Sequence, residues 1–363
     1  MASNIANTYL PDAVSPPGET LLETLEALGM SQADLAERTG RPRKTINEII
    51  KGKAAITAET ALQLERVLGV PANFWINRER QYQEYQARIE EVDRLNTYKE
   101  WLRCFPISEM ARWGWVARHK DPVHQIRELL NFFGVASPKQ WQSIWKEACV
   151  LFRKSAVFEC SAEPLTAWLR RGELQARSIE TEPYDGDRFR SVLTEARKLT
   201  IEPPVSFQPE LVRLCASAGV AVVFIPEIPK TRASGVTRWI SSAKALVQLS
   251  LRYKTDDQLW FTFFHEAGHI LLHGKRDVFI EGIDSSNSHE EEANRFASDF
   301  LIPRTSLQDF MQKGDRSKRA IEFFAQQLGI APGIVVGRLQ HEKYIPPSHC
   351  NALKQRFMWM EAA

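Results

Sequence analysis

The sequence predicts a multidomain, mainly α-helical protein with one small β-sheet in its C-terminal half. A chain of 363 residues is longer than most single domains, so two or three separate cores are expected. Capped helical stretches fill the first two hundred residues, whereas β-branched runs bounded by Gly and Pro come later. The predicted divisions are a flexible tail at 1–18, a helical bundle at 19–90, a helical middle region at 91–186, an α+β domain at 187–345 and a C-terminal extension at 346–363.

The composition is that of an ordinary globular protein, and it excludes several classes. Hydrophobic residues make up 44% of the chain, charged residues make up 25%, and the formal net charge is +2. Because the molecule is no polycation, any nucleic-acid surface must be a local patch. The five scattered cysteines form no C-x-x-C pair, which argues for a reducing compartment and against a disulfide framework. No apolar run approaches the ~20 residues of a membrane span, so we expect a cytoplasmic protein without a membrane partner.

Five short helices are predicted in the N-terminal bundle. Ser31 and Thr57 are good N-caps, and Gly29 and Gly40 are typical C-terminal stops. The predicted extents are 19–28, 31–39, 43–51, 57–69 and from 71 onwards.

The second and third of these helices have the pattern of a helix-turn-helix. Ala36 is small where the two helices would cross, Gly40 makes the turn, and Leu35 supplies part of the apolar side. Positive charge concentrates around the third helix, where side chains can reach base edges or phosphates. A bundle that binds only protein stays open as an alternative, and a homodimer is expected in either case. The candidate DNA contacts are Gln32, Arg41, Arg43, Lys44, Thr45, Asn47 and Lys51.

The middle of the chain, from about residue 95 to 199, reads as helical and is rich in tryptophan. Clustered tryptophan usually marks a core or an interface, and a ligand-sensing pocket is the alternative. The residues concerned are Trp101, Trp113, Trp115, Trp141, Trp145 and Trp168.

Three strands are predicted next, at about 219–225, 233–240 and 245–251, with a turn at Ser241-Ser242 between the last two. A helix follows. Thr255 and Gln258 have capping-box spacing at its start, and Gly274 can end it.

This helix carries His265-Glu266-Ala267-Gly268-His269, an H-E-x-x-H pattern. Two histidines four residues apart project from one helix face, which is the spacing that one zinc ion requires of two imidazoles. Glu266 lies where it can reach a water on the metal without being a ligand. Zinc would lower the pKa of that water toward ~7, and Glu266 would accept its proton as general base. The pattern therefore predicts a zinc-dependent peptidase.

A third ligand is expected from the predicted helix that begins with Ser288 as N-cap. Its apolar stripe includes Ala293, Phe296 and Ala297. At ~100° per residue, Glu290 lies closest to that stripe and Glu291 nearly opposite, so Glu290 is the preferred ligand. Glu292 is the main rival ligand, and a solvated acidic helix start is the alternative for the whole triplet.

Two further histidines are set apart from the ligand set. His273 lies ~12 Å from His265 along the helix axis, so the two cannot share one ion, and we interpret His273 as structural or as a residue that contacts a ligand rather than the metal. His289 lies near a helix start, where we expect it to be exposed.

Two family resemblances rest on these motifs. Residues from about 18 to 75 resemble an Xre/Cro-type helix-turn-helix of the HigA antitoxin branch, through Pro17–Glu19, Ser31–Ala36, Lys44–Ile49 and Phe74-Trp75. Residues from about 187 to 344 resemble the ImmA/IrrE metallopeptidases, through Phe261–His273, Glu290, Ala293-Asn294, Phe296-Ala297 and Leu301–Pro303. Ala267 departs from the second pattern, where Leu is usual, and this change should not affect ligation.

The resemblances imply a gluzincin-like core around a Zn²⁺ cofactor, with Glu290 as ligand and Glu266 as base at the matching motif positions. They also imply a transcriptional regulator that binds operator DNA and cleaves a repressor of helix-turn-helix type, either itself or a partner, in a stress, phage or mobile-element response. A cognate toxin is a further expected partner. The alternative is a HigA-like antitoxin or regulator whose peptidase fold serves only as a sensor or partner-binding domain. The stretch 325–339 also looks like a helix-turn-helix, which in this family belongs to the peptidase domain.

Overall fold

The computed structural model describes residues 14–146, 162–273, 279–280 and 287–360. Most of the predicted tail (1–13), Cys149, Cys160 and the predicted helix end at Gly274 lie outside the described residues. The chain divides into two compact units, Met1–Thr97 and Tyr98–Ala363. The second unit includes both the middle region and the α+β domain, so the boundaries at 186 and 345 stay predictions.

The first unit is a bundle of five helices that follow the predicted extents within a few residues. They are α1 (Pro17–Ala27), α2 (Gln32–Thr39), α3 (Arg43–Ile50), α4 (Ala58–Leu68) and α5 (Ala72–Asn96).

Local hydrogen bonds define the ends of α2. Ser31 Oγ accepts a hydrogen bond from the Asp34 amide at 3.1 Å, and the Asp34 carboxylate accepts one from the Ser31 amide at 3.0 Å. This reciprocal capping box fixes the start of the helix. Gly40 ends α2 with a φ of +66°, the left-handed conformation that favours glycine. The chain can therefore turn sharply into α3, whose buried Ile46 packs in one core with Leu35 and Trp75.

The second unit contains helices on both sides of a small sheet. The helices that precede the sheet are α6 (Lys99–Arg103), α7 (Ile107–Arg112), α8 (Pro122–Phe133), α9 (Pro138–Trp141), α10 (Ala162–Ser178), α11 (Gly186–Lys198) and α12 (Pro204–Ala216). A π-helical turn lies at Gln142–Lys146 and a 3-10 turn at Leu199–Ile201. The later helices are α13 (Asp256–Leu272), α14 (Asn287–Leu301), α15 (Arg304–Gln312), α16 (Lys318–Leu328) and α17 (Pro332–His341), followed by a 3-10 turn at Asn351–Leu353.

The sheet has the strand order β1-β3-β2-β4. β1 runs parallel to β3, and β2 runs antiparallel to both β3 and β4. The first three strands match the predicted ones, and the turn at Ser241-Ser242 separates β2 from β3. The strands are β1 (Val220–Phe224), β2 (Gly235–Ser241), β3 (Lys244–Leu249) and β4 (Phe279–Ile280).

The two faces of the sheet pack against different cores because side chains alternate along a strand. Val220, Val222 and Val247 face a core that includes α13. Ala221 and Val223 face a second core, rich in tryptophan.

The tryptophan-rich middle region is a core, as clustered tryptophan usually indicates. Trp141 and Trp168 are fully buried, and the Trp168 indole donates a hydrogen bond to the Ile225 carbonyl at 3.1 Å. Rings of Trp141 and Phe133 meet edge to face. This core holds one face of the sheet and thereby supports the elements around α13.

The start of α13 differs from the prediction. Thr255 is the N-cap residue, but its side chain makes no capping hydrogen bond. A segment near the C-terminus binds the helix start instead: the Asp256 amide donates to the Gln355 carbonyl at 3.0 Å, and the Phe357 amide donates to the Lys254 carbonyl at 2.9 Å. Thr255 pairs with Arg356 in an antiparallel bridge, and the Asp257 amide, which a capping side chain could bind, donates to Asp256 Oδ1 at 3.0 Å instead.

Two further helical features of this unit were predicted from the sequence, the N-cap of α14 and a second helix-turn-helix. α14 begins at Asn287, so Ser288 lies inside the helix and the predicted N-cap there is wrong. The second helix-turn-helix pattern corresponds to α16 and α17. Residues 332–340 of α17 are all buried or half-buried in the second unit, so this stretch presents no exposed face to a DNA groove.

Among the described residues, no single helix is long and apolar enough to cross a membrane, although α16 and α17, bent by 113° to each other, pass that test as a pair.

The buried carboxyl group of Asp256 predicts a pH dependence of folding. Burial raises the pKa of Asp256 from 3.8 to about 6, and the charge of Asp257 adds to the rise. Because the folded state holds this proton more tightly, the stabilising contribution is complete below about pH 4 and is lost as the pH rises through 6. An Asp256→Asn variant keeps an oxygen that accepts hydrogen bonds from the Asp257 and Gln355 amides but cannot ionise.

Relative to the wild type, Asp256→Asn should gain roughly 2 kcal/mol of unfolding free energy between pH 4 and pH 7. Urea denaturation at several pH values measures this difference. If the unfolding free energy of Asp256→Asn follows the wild-type pH profile at every pH, the raised pKa of Asp256 is contradicted.

Candidate metal centre and nucleic-acid surface

The H-E-x-x-H residues lie on the buried side of α13. His265 and Glu266 are fully buried and His269 is 1% exposed. The Nε2 atoms of the two histidines lie 3.0 Å apart, because a spacing of four residues brings both rings to one helix face. Two nitrogen ligands therefore converge on one point inside the unit.

Glu290 reaches this point from α14. Its carboxylate oxygens lie 3.4 Å from His265 Nε2 and 3.2 Å from His269 Nε2. The two helices can approach closely because Gly268 lacks a side chain: a Cβ there would lie 3.3 Å from the Ala293 Cα and 3.1 Å from the Phe296 ring. The neighbouring Glu291 is exposed, as the helical periodicity predicts, and Glu292, the rival ligand, is exposed as well.

The three side chains fit the ligand set of a zinc ion. Their ligand atoms lie within 4.8 Å of one another, and His265, His269 and Glu290 form the one such group among the described residues. Zn–N bonds of ~2.0–2.1 Å in a tetrahedron place neighbouring ligands ~3.3 Å apart. The ligand atoms of the three residues lie 3.0, 3.2 and 3.4 Å apart, which matches this separation.

Electrostatics keeps two of these groups in the protonation state that a metal requires. Burial lowers the pKa of His269 and favours the neutral ring. Burial alone would raise the pKa of Glu290, but hydrogen bonds with His265 and His269 outweigh it and lower the pKa to about 2. A neutral imidazole and a carboxylate anion are the metal-binding forms of these side chains.

A second set of side chains orients the two histidines. Asn294 Oδ1 lies 3.1 Å from His265 Nδ1, and His273 Nδ1 lies 2.9 Å from His269 Nδ1. Glu292 Oε2 in turn lies 3.3 Å from His273 Nε2. Partners of this kind fix the tautomer and the ring orientation of histidine ligands.

These contacts change three interpretations from the sequence. Glu292, the rival ligand, contacts His273 and lies outside the metal group. His289 is half-buried and stacks on the His273 ring, so the expectation that it is exposed is wrong. Asn294 was not predicted as part of the site, although its place four residues after Glu290 on the same helix face would have indicated it.

Glu266 packs against the first residues of β2. The Thr237 hydroxyl donates a hydrogen bond to the Glu266 carbonyl at 3.1 Å. A Cβ at Gly235 would lie 2.8 Å from Glu266 Oε1 and 2.5 Å from Thr262 Cγ2. Glycine at the start of β2 therefore leaves the space that the Glu266 side chain occupies.

The first unit carries a basic surface on α2 and α3. Most of the predicted DNA contacts line one shallow cavity, and Asn47 Nδ2 donates to Gln32 Oε1 across it at 3.5 Å. Lys53 belongs to the same surface, although we did not include it among the predicted contacts. The lining residues are Gln32, Arg43, Lys44, Asn47, Glu48, Lys51 and Lys53.

Arg41 and Thr45 lie outside this cavity. The Arg41 guanidinium turns toward α4, where its Nε donates to Gln63 Oε1 at 2.5 Å and its Nη2 lies 3.4 Å from Glu59. The side chain is 19% exposed, so its charge is engaged within the unit. Thr45 is half-buried. Sequence alone could not locate the acceptors on α4 that hold Arg41.

Comparisons with known proteins address the two ends of the chain separately. A family model described as "Helix-turn-helix" matches residues 21–75, and a peptidase-family model described as "IrrE N-terminal-like domain" matches residues 215–340. Antitoxin HigA-1 of Vibrio cholerae is 34% identical over 84 residues, which are 23% of this chain and 72% of that protein. By its N-terminal domain, the chain belongs to the helix-turn-helix family. It is a DNA-binding helix-turn-helix regulator that also carries an IrrE-like domain of a metallopeptidase-like family.

Other relatives match the same N-terminal region of this helix-turn-helix protein. Virulence-associated protein I of Dichelobacter nodosus is 40% identical over 67 residues, which are 18% of this chain and 62% of that protein. The solved structure of Pseudomonas aeruginosa antitoxin HigA with the higBA promoter is 29% identical, covers 23% of this chain and 90% of that chain, and has a TM-score of 0.22.

The close contact at Gly235 predicts a loss of stability on substitution. Gly235→Ala adds a Cβ that must displace Glu266 or Thr262, and overpacking of this kind costs about 1–3 kcal/mol. The matched control is Gly186→Ala, where the nearest atom would lie at an ordinary 3.4 Å. Urea denaturation should give a lower unfolding free energy for Gly235→Ala alone. Equal stability of the two variants would argue against a tight fit of Glu266 beneath β2.

Proposed function

We propose that this helix-turn-helix regulator is a zinc-dependent metallo-endopeptidase that cleaves a repressor protein, either itself or a partner. The observation that carries the proposal is the buried convergence of His265, His269 and Glu290, with Glu266 adjacent on the same helix. An ordinary amphipathic helix would expose its histidines, whereas these are shielded by Phe261 and α14.

The residues divide the chemistry between them. His265, His269 and Glu290 would hold the zinc ion, which when bound supplies a Lewis acid that polarises a carbonyl group and activates water. Glu266 would take a proton from the attacking water and deliver it to the leaving amine. Asn294 and His273 would keep the two imidazoles oriented with their Nε2 atoms toward the metal. Burial of His265, Glu266 and His269 strengthens the electrostatic interactions of these three side chains.

The basic surface on α2 and α3 supports binding to operator DNA. Arg43, Lys44 and Lys51 can contact phosphates, and Gln32 and Asn47 carry the amide groups suited to base edges. We infer that the chain acts in the cytoplasm as a homodimer and responds to stress, phage or mobile elements. The inferred substrate is a helix-turn-helix repressor, because the C-terminal domain resembles peptidases that cleave such repressors.

A second candidate function is that of an antitoxin. The identity of 34% to antitoxin HigA-1 of Vibrio cholerae over the helix-turn-helix region favours it. In this alternative the chain would neutralise a toxin, and the peptidase fold would serve as a sensor or as a partner-binding domain. Co-purification with the product of an adjacent toxin gene would support this function.

Glu266→Gln tests the peptidase directly. The variant should retain zinc and an unchanged unfolding transition, since glutamine is isosteric, but should lose cleavage of the target by at least about a hundred-fold. The measurement is mass spectrometry of repressors encoded nearby, and of the chain itself, after incubation with the zinc-loaded protein.

The control for this experiment is Glu291→Gln, an exposed carboxyl on α14 outside the ligand group, which should still cleave. A fully active Glu266→Gln variant would sink the proposed mechanism.

Substituting Arg43 and Lys44 with Ala tests the DNA surface. Loss of two phosphate contacts should weaken binding to the upstream DNA of the chain's own gene and reduce the dependence of log K on log salt concentration by about 2. Gel shifts or fluorescence anisotropy at several salt concentrations measure both quantities.

The charge-matched control changes Arg66 and Arg88, which lie outside the cavity, to Ala. If this control weakens binding as much as the Arg43/Lys44 variant does, the contact surface on α3 is wrongly assigned.

A further inference from the structure

Strand β2 contacts helix α13 with one face and the middle region with the other, because successive side chains of a strand point to opposite faces. On the first face, the Thr237 hydroxyl donates a hydrogen bond to the Glu266 carbonyl at 3.1 Å. On the second face, Arg238 reaches α10 of the middle region. Two consecutive residues of β2 thus contact the candidate general base and the middle region.

The Arg238 side chain is anchored in the middle region through one nitrogen, Nη2. This atom donates to the Leu169 carbonyl at 3.0 Å and lies 3.3 Å from Glu173 Oε2. The guanidinium also lies over the Trp145 ring, 5.9 Å from its centroid, which is in the range of cation–π contacts. Arg238 is therefore held by a carbonyl, a carboxylate and an aromatic ring, all from the middle region.

The ion pair between Arg238 and Glu173 is mostly buried, with side chains that are 15% and 12% exposed. Burial lowers the pKa of Arg238, and the Glu173 carboxylate opposes that shift. A buried charge that is separated from its counter-ion is strongly unfavourable, so β2 cannot move away from α10 without a large cost in free energy. The ion pair therefore fixes the position of β2.

The position of β2 in turn limits the space that is open to Glu266. A Cβ at Gly235 would lie 2.8 Å from Glu266 Oε1, so the strand is already in close contact with the carboxylate. Thr237 adds its hydrogen bond from the same strand. A displaced β2 would therefore leave the Glu266 side chain free to adopt other rotamers.

Glu173 is shared by three arginines, which allows Arg238 to be removed without leaving a buried, unpaired carboxylate. Arg170 Nη1 lies 2.9 Å from Glu173 Oε1, and Arg177 Nη2 contacts the same oxygen. Arg170 and Arg177 lie on α10 itself, whereas Arg238 joins α10 to β2. The role of Arg238 therefore differs from that of the other two, although all three bind the same carboxylate.

We propose that Arg238 is a positioning residue through which the middle region holds β2, and with it the Glu266 carboxylate, in place for the reaction. The inference rests on the proposed function, since it takes Glu266 as the general base. Glu173 and Trp145 lie outside residues 215–340, which match the peptidase-family model. The middle region is thus an essential support of the peptidase site, and Arg238 itself takes no part in proton transfer.

Arg238→Met in the full-length, zinc-loaded chain tests this role. Methionine can pack on the Trp145 ring, and Glu173 keeps two arginines, so the urea midpoint should stay close to that of the wild type. The kcat for cleavage of a repressor should fall about ten-fold or more, because misplacement of a catalytic group slows the chemical step. KM and zinc content should stay within about two-fold of the wild type.

Two further variants separate the position of β2 from the charge of the cluster. Arg177→Met removes an arginine from the same carboxylate, but this side chain is 59% exposed and belongs to α10, so kcat should not change. An equal loss of kcat in Arg177→Met would contradict the inference. Arg238→Lys should recover kcat to within about three-fold of the wild type, because one ammonium group can replace Nη2 in both of its contacts. Should Arg238→Met fail to fold, Arg238→Gln takes its place.

A double-mutant cycle in urea unfolding measures the hold on β2 without any cleavage. Gly235 and Arg238 face opposite sides of the strand, so the effects of their substitutions should add if β2 stays fixed. In the Arg238→Met background the strand can yield to a Cβ at position 235. Gly235→Ala should therefore lower the urea midpoint by about half as much in this background as in the wild type. In the Arg177→Met background it should have its full effect.

The outcomes distinguish this inference from the proposed function. If the wild type cleaves a repressor and a folded Arg238→Met variant has the same kcat, Arg238 is not a positioning residue, and the peptidase stands. If the wild type cleaves no repressor, the cycle decides alone. Additive midpoint shifts would then overturn the hold of Arg238 on β2, whereas the expected coupling would support it while the peptidase is contradicted.

Discussion

The close approach of α13 and α14 at Gly268 is the contact on which the candidate metal centre depends. Two histidines on one helix give two ligands only, and the third must come from a helix whose backbone lies almost against the first. A Cβ at Gly268 would lie 3.3 Å from the Ala293 Cα, so a larger residue would push Glu290 away from the imidazoles. The sheet supports this contact because Val220, Val222 and Val247 share a core with α13, and the tryptophan-rich core packs on the opposite face of the sheet.

Helical periodicity predicts those features of the site that one helix determines alone. The convergence of His265 and His269 and the inward position of Glu290 follow from 3.6 residues per turn and an apolar stripe. The features that the sequence did not predict depend on partners that are distant in sequence. The Arg41 side chain turns away from the basic surface on α2 and α3 because Gln63 accepts its hydrogen bond. The start of α13 is bound by Gln355 rather than by its own Thr255.

The two units use charge in opposite ways. On α2 and α3 the cations are exposed, where salt screens them and where released counter-ions favour association with a polyanion. In the second unit some charges are instead buried in pairs, as with Asp257 and Lys354, whose Oδ2 and Nζ lie 2.6 Å apart. A formal net charge of +2 therefore hides two sites of different character, which explains why bulk composition predicted neither.

The segment at 355–357 has a consequence for the order of events during synthesis. Gln355 binds Asp256 across 99 positions of sequence, and Phe357 adds a buried ring against Phe207. A nascent chain that has exposed only the histidine helix lacks these contacts, because the ribosome still holds the residues that complete them. The helix-turn-helix bundle, which is N-terminal and local in its contacts, can fold long before. The helix-turn-helix bundle can thus be folded while the half that carries the candidate metal centre is still being translated.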